Sequence, residues 1–308
     1  MECSKTRFNN QKHRVLLLSD IHGNSRAFQR LVNIIKSQKT VDYILIAGDI
    51  AGTICYPLFL WSIAKERRLS RSLYAELVYG RAREKFVMFQ IKTVQRVFEI
   101  LKRIGKPIVL TFGNTDTPEV IEEINQHAAT EDNIYFLQTG ESIALAGLHI
   151  VAIGGATCQP SNRGFTCPHD YEERQFTKLI DKTEKSLAKF PNEKSILLTH
   201  ESPFNTCTDR LLHLNRHMGS KPLRNLISTM QPLIHCCGHF HESQGACMIG
   251  ETTLINPGAL THYEYALCEI DLSATKMVLP KLSCLPKNRG DPVELIYRLN
   301  RRLDTTTL

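Results

Sequence analysis

Arg14-Val-Leu-Leu-Leu-Ser-Asp-Ile-His22 sets four consecutive aliphatic residues ahead of Ser19, Asp20 and His22. An unbroken apolar run of this length reads as a strand buried on both faces, the habit of parallel sheets covered by helices. Ser25–Ser37 follows with Phe28, Leu31, Ile34 and Ile35 at helical spacing. Tyr43-Ile-Leu-Ile-Ala47 then repeats the strand pattern and ends at Gly48-Asp49, and Pro107–Phe112 repeats it again and ends at Gly113-Asn114. Strand, helix, strand in this order predicts parallel βαβ units.

The second half keeps the pattern. Ile134–Leu137, Ser142–Leu145 and Leu148–Ile153 read as strands, the last two as a hairpin across Ala146-Gly147. Ser195–Thr199 ends at His200, and Leu233–Cys237 ends at Gly238-His239. Thr252–Ile255, Tyr265–Leu272 and Lys276–Leu279 close the β section. The fold class expected is α/β: a four-layer α/β/β/α sandwich of two mixed sheets, with a helical insertion.

The insertion lies between the second and third strands, where the chain is far longer than a crossover needs. It spans about residues 52–84 and precedes an amphipathic helix over Phe86–Ile104. Lys65–Lys85 sets seven Lys or Arg against three Glu, more than half the net +7 of the whole chain. A solvated helical cap, a substrate cap, a dimer contact and a membrane-surface patch all fit such a charge run. A single domain over residues 1–287 is expected, followed by a C-terminal helix and tail over 288–308, with Pro292–Leu303 helical.

The chain has 308 residues, 42% hydrophobic and 22% charged, which excludes disordered, collagen-like and coiled-coil classes. The charge excess is too diffuse to establish nucleic-acid binding. Ten cysteines without a Cys-x-x-Cys pair make no disulfide scaffold. A polar start without an apolar segment predicts no secretory signal, hence reduced thiols and a cytoplasmic location. No apolar run is long enough to span a bilayer.

Five predicted strand ends carry metal-ligating residue types: Asp20-Ile-His22, Gly48-Asp49, Gly113-Asn-Thr-Asp116, Thr199-His200 and Gly238-His-Phe-His241. Functional groups gather at the carboxyl ends of strands in such sheets, so all five are expected on one rim. In Asp20-x-His22 and His239-x-His241 the outer residues share a direction while the strand stays extended. By composition alone a Gly-His-x-His match arises ~0.03 times in a chain of this length. Carboxylate, amide and imidazole donors suit two borderline divalent ions, Mn first and Fe, Zn, Ni or Co as alternatives. Two dications about 4 Å apart repel by roughly 17 kcal/mol at an effective dielectric of about 20, so a shared anionic ligand is needed. Asp49 is the natural bridge, with a hydroxide beside it as the nucleophile.

These motifs and their order resemble the calcineurin-like metallophosphoesterase superfamily, and in particular its small prokaryotic-type phosphoesterase branch. The resemblance runs from about Arg14 to Leu272. It extends to Asp20-Ile-His-Gly-Asn24, Gly219-Ser-x-x-Leu-Arg224, Gln231-Pro232 and Ile255-Asn-Pro-Gly258. It implies that Asp20, His22 and His241 hold one metal, that Asn114, His200 and His239 hold the other, and that Asp49 bridges. Thr115 departs from the pattern: the family often carries there a His that assists the leaving group, oriented by the residue at position 116. His217 is the candidate to replace it, and Asn24 and Arg163 are candidate substrate contacts. His235-Cys236-Cys237 reads as core filling and not as a thiolate site.

The activity expected is hydrolysis of phosphate esters, diesters before monoesters. A phosphomonoesterase acting on a nucleotide or sugar phosphate, and a catalytically weak scaffold that binds a partner through the insertion, are the alternatives. The partners expected are the phosphate ester and a second copy of the chain through the insertion. Nucleic acid has no support beyond the basic patch.

Overall fold

Strand β1 (Lys12–Leu18) shows how the continuous apolar runs are used. Val15 and Leu17 face a second sheet, whereas Leu16 and Leu18 face helices, so both sides of one strand are buried. The computed structural model describes residues 12–38, 41–51, 81–158, 167–211, 214–272, 277–284 and 295–296.

The first sheet is built on β1, β2 (Tyr43–Ala47), β3 (Ile108–Thr111) and β4 (Ile134–Phe136), all parallel. Its other side is extended by β15 (Glu264–Asp271), antiparallel to β1, then β16 (Met277–Cys284) and β17 (Leu295–Ile296). The second sheet has parallel β6 (Leu148–Ile153), β9 (Ser195–Thr199), β12 (Ile234–Cys236) and β14 (Thr252–Asn256) at its centre. Antiparallel β5 (Ser142–Leu145) and β13 (Gly245–Ile249) form its edges. Two short pairs stand apart from the sheets: β7 (Ala156–Thr157) parallel to β8 (Asp170–Tyr171), and β10 (Arg210–Leu211) antiparallel to β11 (Arg216–His217).

Three apolar layers give the four-layer sandwich that the sequence predicts. Between the sheets, Val15, Leu17, Leu45 and Val109 meet Ile150, Ile196, Leu198 and Ile255. Outside the first sheet lie α1 (Ser25–Gln38), α2 (Arg81–Leu101) and α3 (Pro118–Ala129), whose Phe28, Leu31, Phe98 and Ile124 cover it. Outside the second lie α4 (Glu173–Leu187) and α5 (Lys221–Met230), through Phe176, Ile180, Leu223 and Ile227. Thr117 and Ser220 cap α3 and α5 by accepting from Val120 N and Leu223 N, each with a Pro in the first turn.

Ala146 and Gly147 both have positive φ, the conformation of a two-residue primed turn, as the expected β5–β6 hairpin requires. Cys236 and Cys237 are fully buried, filling the core as expected. Two expectations change. Helix α2 begins at Arg81, so the last residues assigned to the insertion are the start of this helix. Leu295–Ile296, expected in a C-terminal helix, pairs as a strand with Leu282 and Ser283. Residues 52–80 of the insertion, and the rest of the C-terminal segment from 285, lie outside the described residues. No helix among the described residues is long and apolar enough to cross a membrane.

Candidate metal centre

The carboxyl ends of β1, β2, β3, β9 and β12 meet where the two sheets face each other, and the backbone turns through positive φ after β1, β2 and β12. Asp20, His22, Asp49 and His239 all adopt positive φ, which L-residues with a Cβ adopt at a cost of about 1 kcal/mol each. Two glycines permit the approach: a Cβ at Gly113 would overlap the Asp49 carboxylate, and one at Gly238 would overlap the Ser19 hydroxyl.

The side chains so delivered converge on two adjoining points. Asp20, His22 and His241 form one group and Asp20, Asp49 and His200 another, with donor atoms within 4.8 Å of one another in each. His22 Nε2 and His241 Nε2 are 3.2 Å apart, and His241 Nε2 is 3.0 Å from Asp20 Oδ1. Asp49 Oδ2 lies 3.5 Å from His22 Nε2 and 3.5 Å from His200 Nε2, so one oxygen stands between the two groups.

The tautomer of His200 is set from outside. Its Nδ1 lies 2.7 Å from the Ala47 carbonyl oxygen, which only accepts, so Nδ1 carries hydrogen. Asn114 is fixed in the same way: its Nδ2 donates to Asp170 Oδ1 at 2.8 Å, which leaves Oδ1 facing His200 Nε2 at 3.0 Å. In the neutral ring, His200 Nε2 therefore presents a lone pair towards two acceptor oxygens. Such an arrangement needs a cation or a proton among them. The ring's proton affinity shows the same demand: burial lowers it, but the Asp49 and Asp20 carboxylates outweigh burial and push it up to about 10. Asp20 and Asp49 are fully buried, which favours their neutral forms, yet neighbouring imidazoles hold both well below the usual carboxylate range. His239 is the converse: burial drives it down to about 3, leaving a neutral ring edge-on to His200 at 5.2 Å. The Asp20 and Asp49 oxygens and the His22, His200 and His241 ring nitrogens, drawn within 4.8 Å of one another in each group, fit divalent metal ions.

A profile of the metallophosphoesterase family, calcineurin superfamily, matches residues 8–279. The chain belongs to this family. A protein of Methanocaldococcus jannaschii, itself uncharacterised, is 33% identical over 158 residues, covering 50% of this chain and 64% of that one. The chain thus matches less than two thirds of that relative's length. Among solved structures, TT1561 of Thermus thermophilus superposes with a TM-score of 0.56 at 18% identity, covering 87% of this chain and 97% of its own. A dimetal phosphatase from Danio rerio superposes with a TM-score of 0.52 at 11% identity, covering 88% and 94%. At these identities the two superpositions show the shared fold.

Thr115 donates its N–H to Asp49 Oδ1 at 3.0 Å, and among the described residues its hydroxyl is buried without a partner. Asp116, whose role the missing His left open, ties loops together. It accepts from Ile50 N, Ala51 N and Gly113 N at 2.9–3.3 Å, so it binds the β2 end to the β3 end. Burial and the Asp49 charge raise its pKa to about 6 against those three donors.

The sequence-based candidates beyond the metal ligands fare differently. His217 Nδ1 lies 2.7 Å from Asp209 Oδ1 and its ring packs against Phe204. Asp209 also accepts from Asn205 N, Thr206 N and Gly219 N, so His217 belongs to a loop anchor and its contacts include no member of the cluster. Asn24 caps α1: its Oδ1 accepts from Ala27 N and its Nδ2 donates to Thr261 O. That role was readable from an Asn immediately ahead of a helical pattern. Arg163 lies outside the described residues. Sequence reasoning missed Asp170, which fixes Asn114, and His262, whose ring meets His241 edge-on at 5.5 Å.

Proposed function

We propose that this chain hydrolyses phosphate esters, diesters before monoesters, at a dinuclear divalent metal centre. Asp20, His22 and His241 would hold one ion, Asn114, His200 and His239 the other, and Asp49 would bridge them. The observation that carries this reading is the single Asp49 oxygen 3.5 Å from both His22 Nε2 and His200 Nε2. When bound, the ions supply a water activated near neutral pH and positive charge for the phosphoryl oxygens.

The protein's part is to hold acceptors together that would otherwise repel. Ser19 donates to Asp20 Oδ2 at 2.5 Å, and His239 N donates to the same oxygen at 3.1 Å, leaving Oδ1 for the centre. Thr115 N orients Asp49 through its other oxygen. The preference for diesters is drawn from the family resemblance; Thr115, in place of the usual leaving-group His, favours within either class esters whose leaving group needs least assistance, phenolates before alkoxides.

Turnover of bis-p-nitrophenyl phosphate and p-nitrophenyl phosphate by Mn-loaded protein, with Asp49→Ala and Asn114→Ala alongside, tests this. Diester turnover that vanishes in both variants supports the proposal. A monoester preference replaces the substrate half of it. Two metals bound with no turnover of either ester overturns the catalytic reading in favour of a binding scaffold.

A further inference from the structure

Thr115 stands beside Asn114, and the segment Cys167–Tyr171 is fastened to the Asn114 side of the centre. His169 N donates to Asn114 O at 3.1 Å, Asp170 holds the Asn114 amide, and Ala156 N donates to His169 O at 3.0 Å. The His169 ring packs edge-on against Phe112 at 5.0 Å, two residues before Asn114; burial lowers its proton affinity, partly offset by the Asp49 carboxylate.

Its hydrogen-bonding state follows from its neighbour. His169 Nδ1 is 3.1 Å from Tyr171 Oη, and among the described residues that nitrogen is the phenol's one hydrogen-bond partner. When the phenol donates to Nδ1, the neutral ring carries its hydrogen on Nε2. Among the described residues Nε2 is buried with no partner. A buried N–H left unsatisfied is costly and rare in native structures, and a ligand oxygen is one of the few things that can satisfy it.

We propose that His169 is a substrate-contacting residue, whose Nε2–H hydrogen-bonds an oxygen of the phosphate ester on the Asn114 side of the centre. It acts as a neutral donor held in one tautomer by Tyr171, and no proton leaves it. This inference rests on the phosphoesterase reading above.

The test uses the full chain loaded with Zn, which is diamagnetic, and inorganic phosphate as the probe. Phosphate affinity is measured by calorimetry for wild type, His169→Ala, His169→Gln and Tyr171→Phe, with metal content determined for each. The His169 Nε2 resonance is followed in wild type by ¹⁵N NMR. The expected result is a roughly tenfold weaker phosphate affinity in His169→Ala, partial recovery in His169→Gln, unchanged metal content, and a shift of the Nε2 resonance on adding phosphate. An unmoved resonance in metal-loaded wild type, with His169→Ala binding phosphate as wild type does, overturns the proposal while leaving the phosphoesterase reading intact. Wild type that takes up two metals but no phosphate overturns both. The NMR arm needs no variant, so a misfolded substitution does not weaken the test.

Discussion

Asp170 and Asn114 lie 56 positions apart in the chain, yet the Asp170 carboxylate receives the Asn114 amide at 2.8 Å and thereby decides which end of that amide faces His200. An amide has one acceptor end and one donor end, and a metal accepts only the first. Asp170→Ala releases the rotation of Asn114. Metal affinity at the His200 side is expected to fall by about 10–100-fold, the usual effect of losing an outer hydrogen bond to a ligand. Asp170→Asn, which still offers an oxygen, should retain part of it. Metal titration with the stoichiometry counted separately for each ion checks this, and unchanged affinity in Asp170→Ala would remove the orienting role.

Asp116 acts on the loops and not on the ion. Its two oxygens receive three backbone N–H groups from the β2 and β3 ends. In Asp116→Asn one oxygen is replaced by an N–H₂ that faces those donors. The variant is expected to be less stable by about 2–4 kcal/mol, from lost charge-assisted bonds and buried donors left unpaired. Chemical denaturation measures it. A stability within about 0.5 kcal/mol of wild type would show that the loops are held by other means.

Metal removal should destabilise the whole protein, because inward-facing acceptors from five strand ends then lose their shared cation. With free metal at about 100 times its dissociation constant, linkage gives roughly 2.7 kcal/mol of stabilisation for one site. Thermal melts before and after chelation should differ accordingly. Asp49→Ala should shrink the difference, and equal melts in both states would argue against resident ions.

What could be read from the sequence and what could not divide along a physical line. The ends of β1, β2, β3, β9 and β12 were legible because each candidate ligand closely follows its own apolar run, and strand direction alone gathers them. The burial of both faces of β1 was legible for the same reason. Asp170 was not, because it sits on the two-residue strand β8, whose partner β7 is equally short. Neither has enough residues to show a period. The edge strand β13 opens with Gly245 and carries an exposed Met248, which masks its alternation. His217 looked suitable by residue type, but the sequence held no sign that Asp209 would claim it.

His235 predicts a pH dependence separate from the metal centre. It is fully buried in β12, and its Nε2 is 2.8 Å from Thr199 Oγ1. Thr199 already donates its hydroxyl hydrogen to the Glu201 carbonyl, so Nε2–H is the donor to Thr199, and among the described residues Nδ1 is left buried without a partner. A second proton would place an unpaired charge in the sheet, and burial accordingly lowers the pKa from 6.5 to about 3. Unfolded His235 takes its proton near 6.5, whereas the folded protein does not until about 3. The unfolded state therefore binds more protons throughout that window, and stability falls as the pH is lowered through it. Between pH 6.5 and 4 the loss is about 3 kcal/mol, at 1.36 kcal/mol per unit. His235→Gln keeps an N–H for Thr199 but has nothing to titrate. Its urea stability should decline over this range by about 3 kcal/mol less than that of wild type, and the difference isolates His235 from the other groups that titrate there. Parallel pH profiles for the two proteins would show that the folded state accommodates the charged ring.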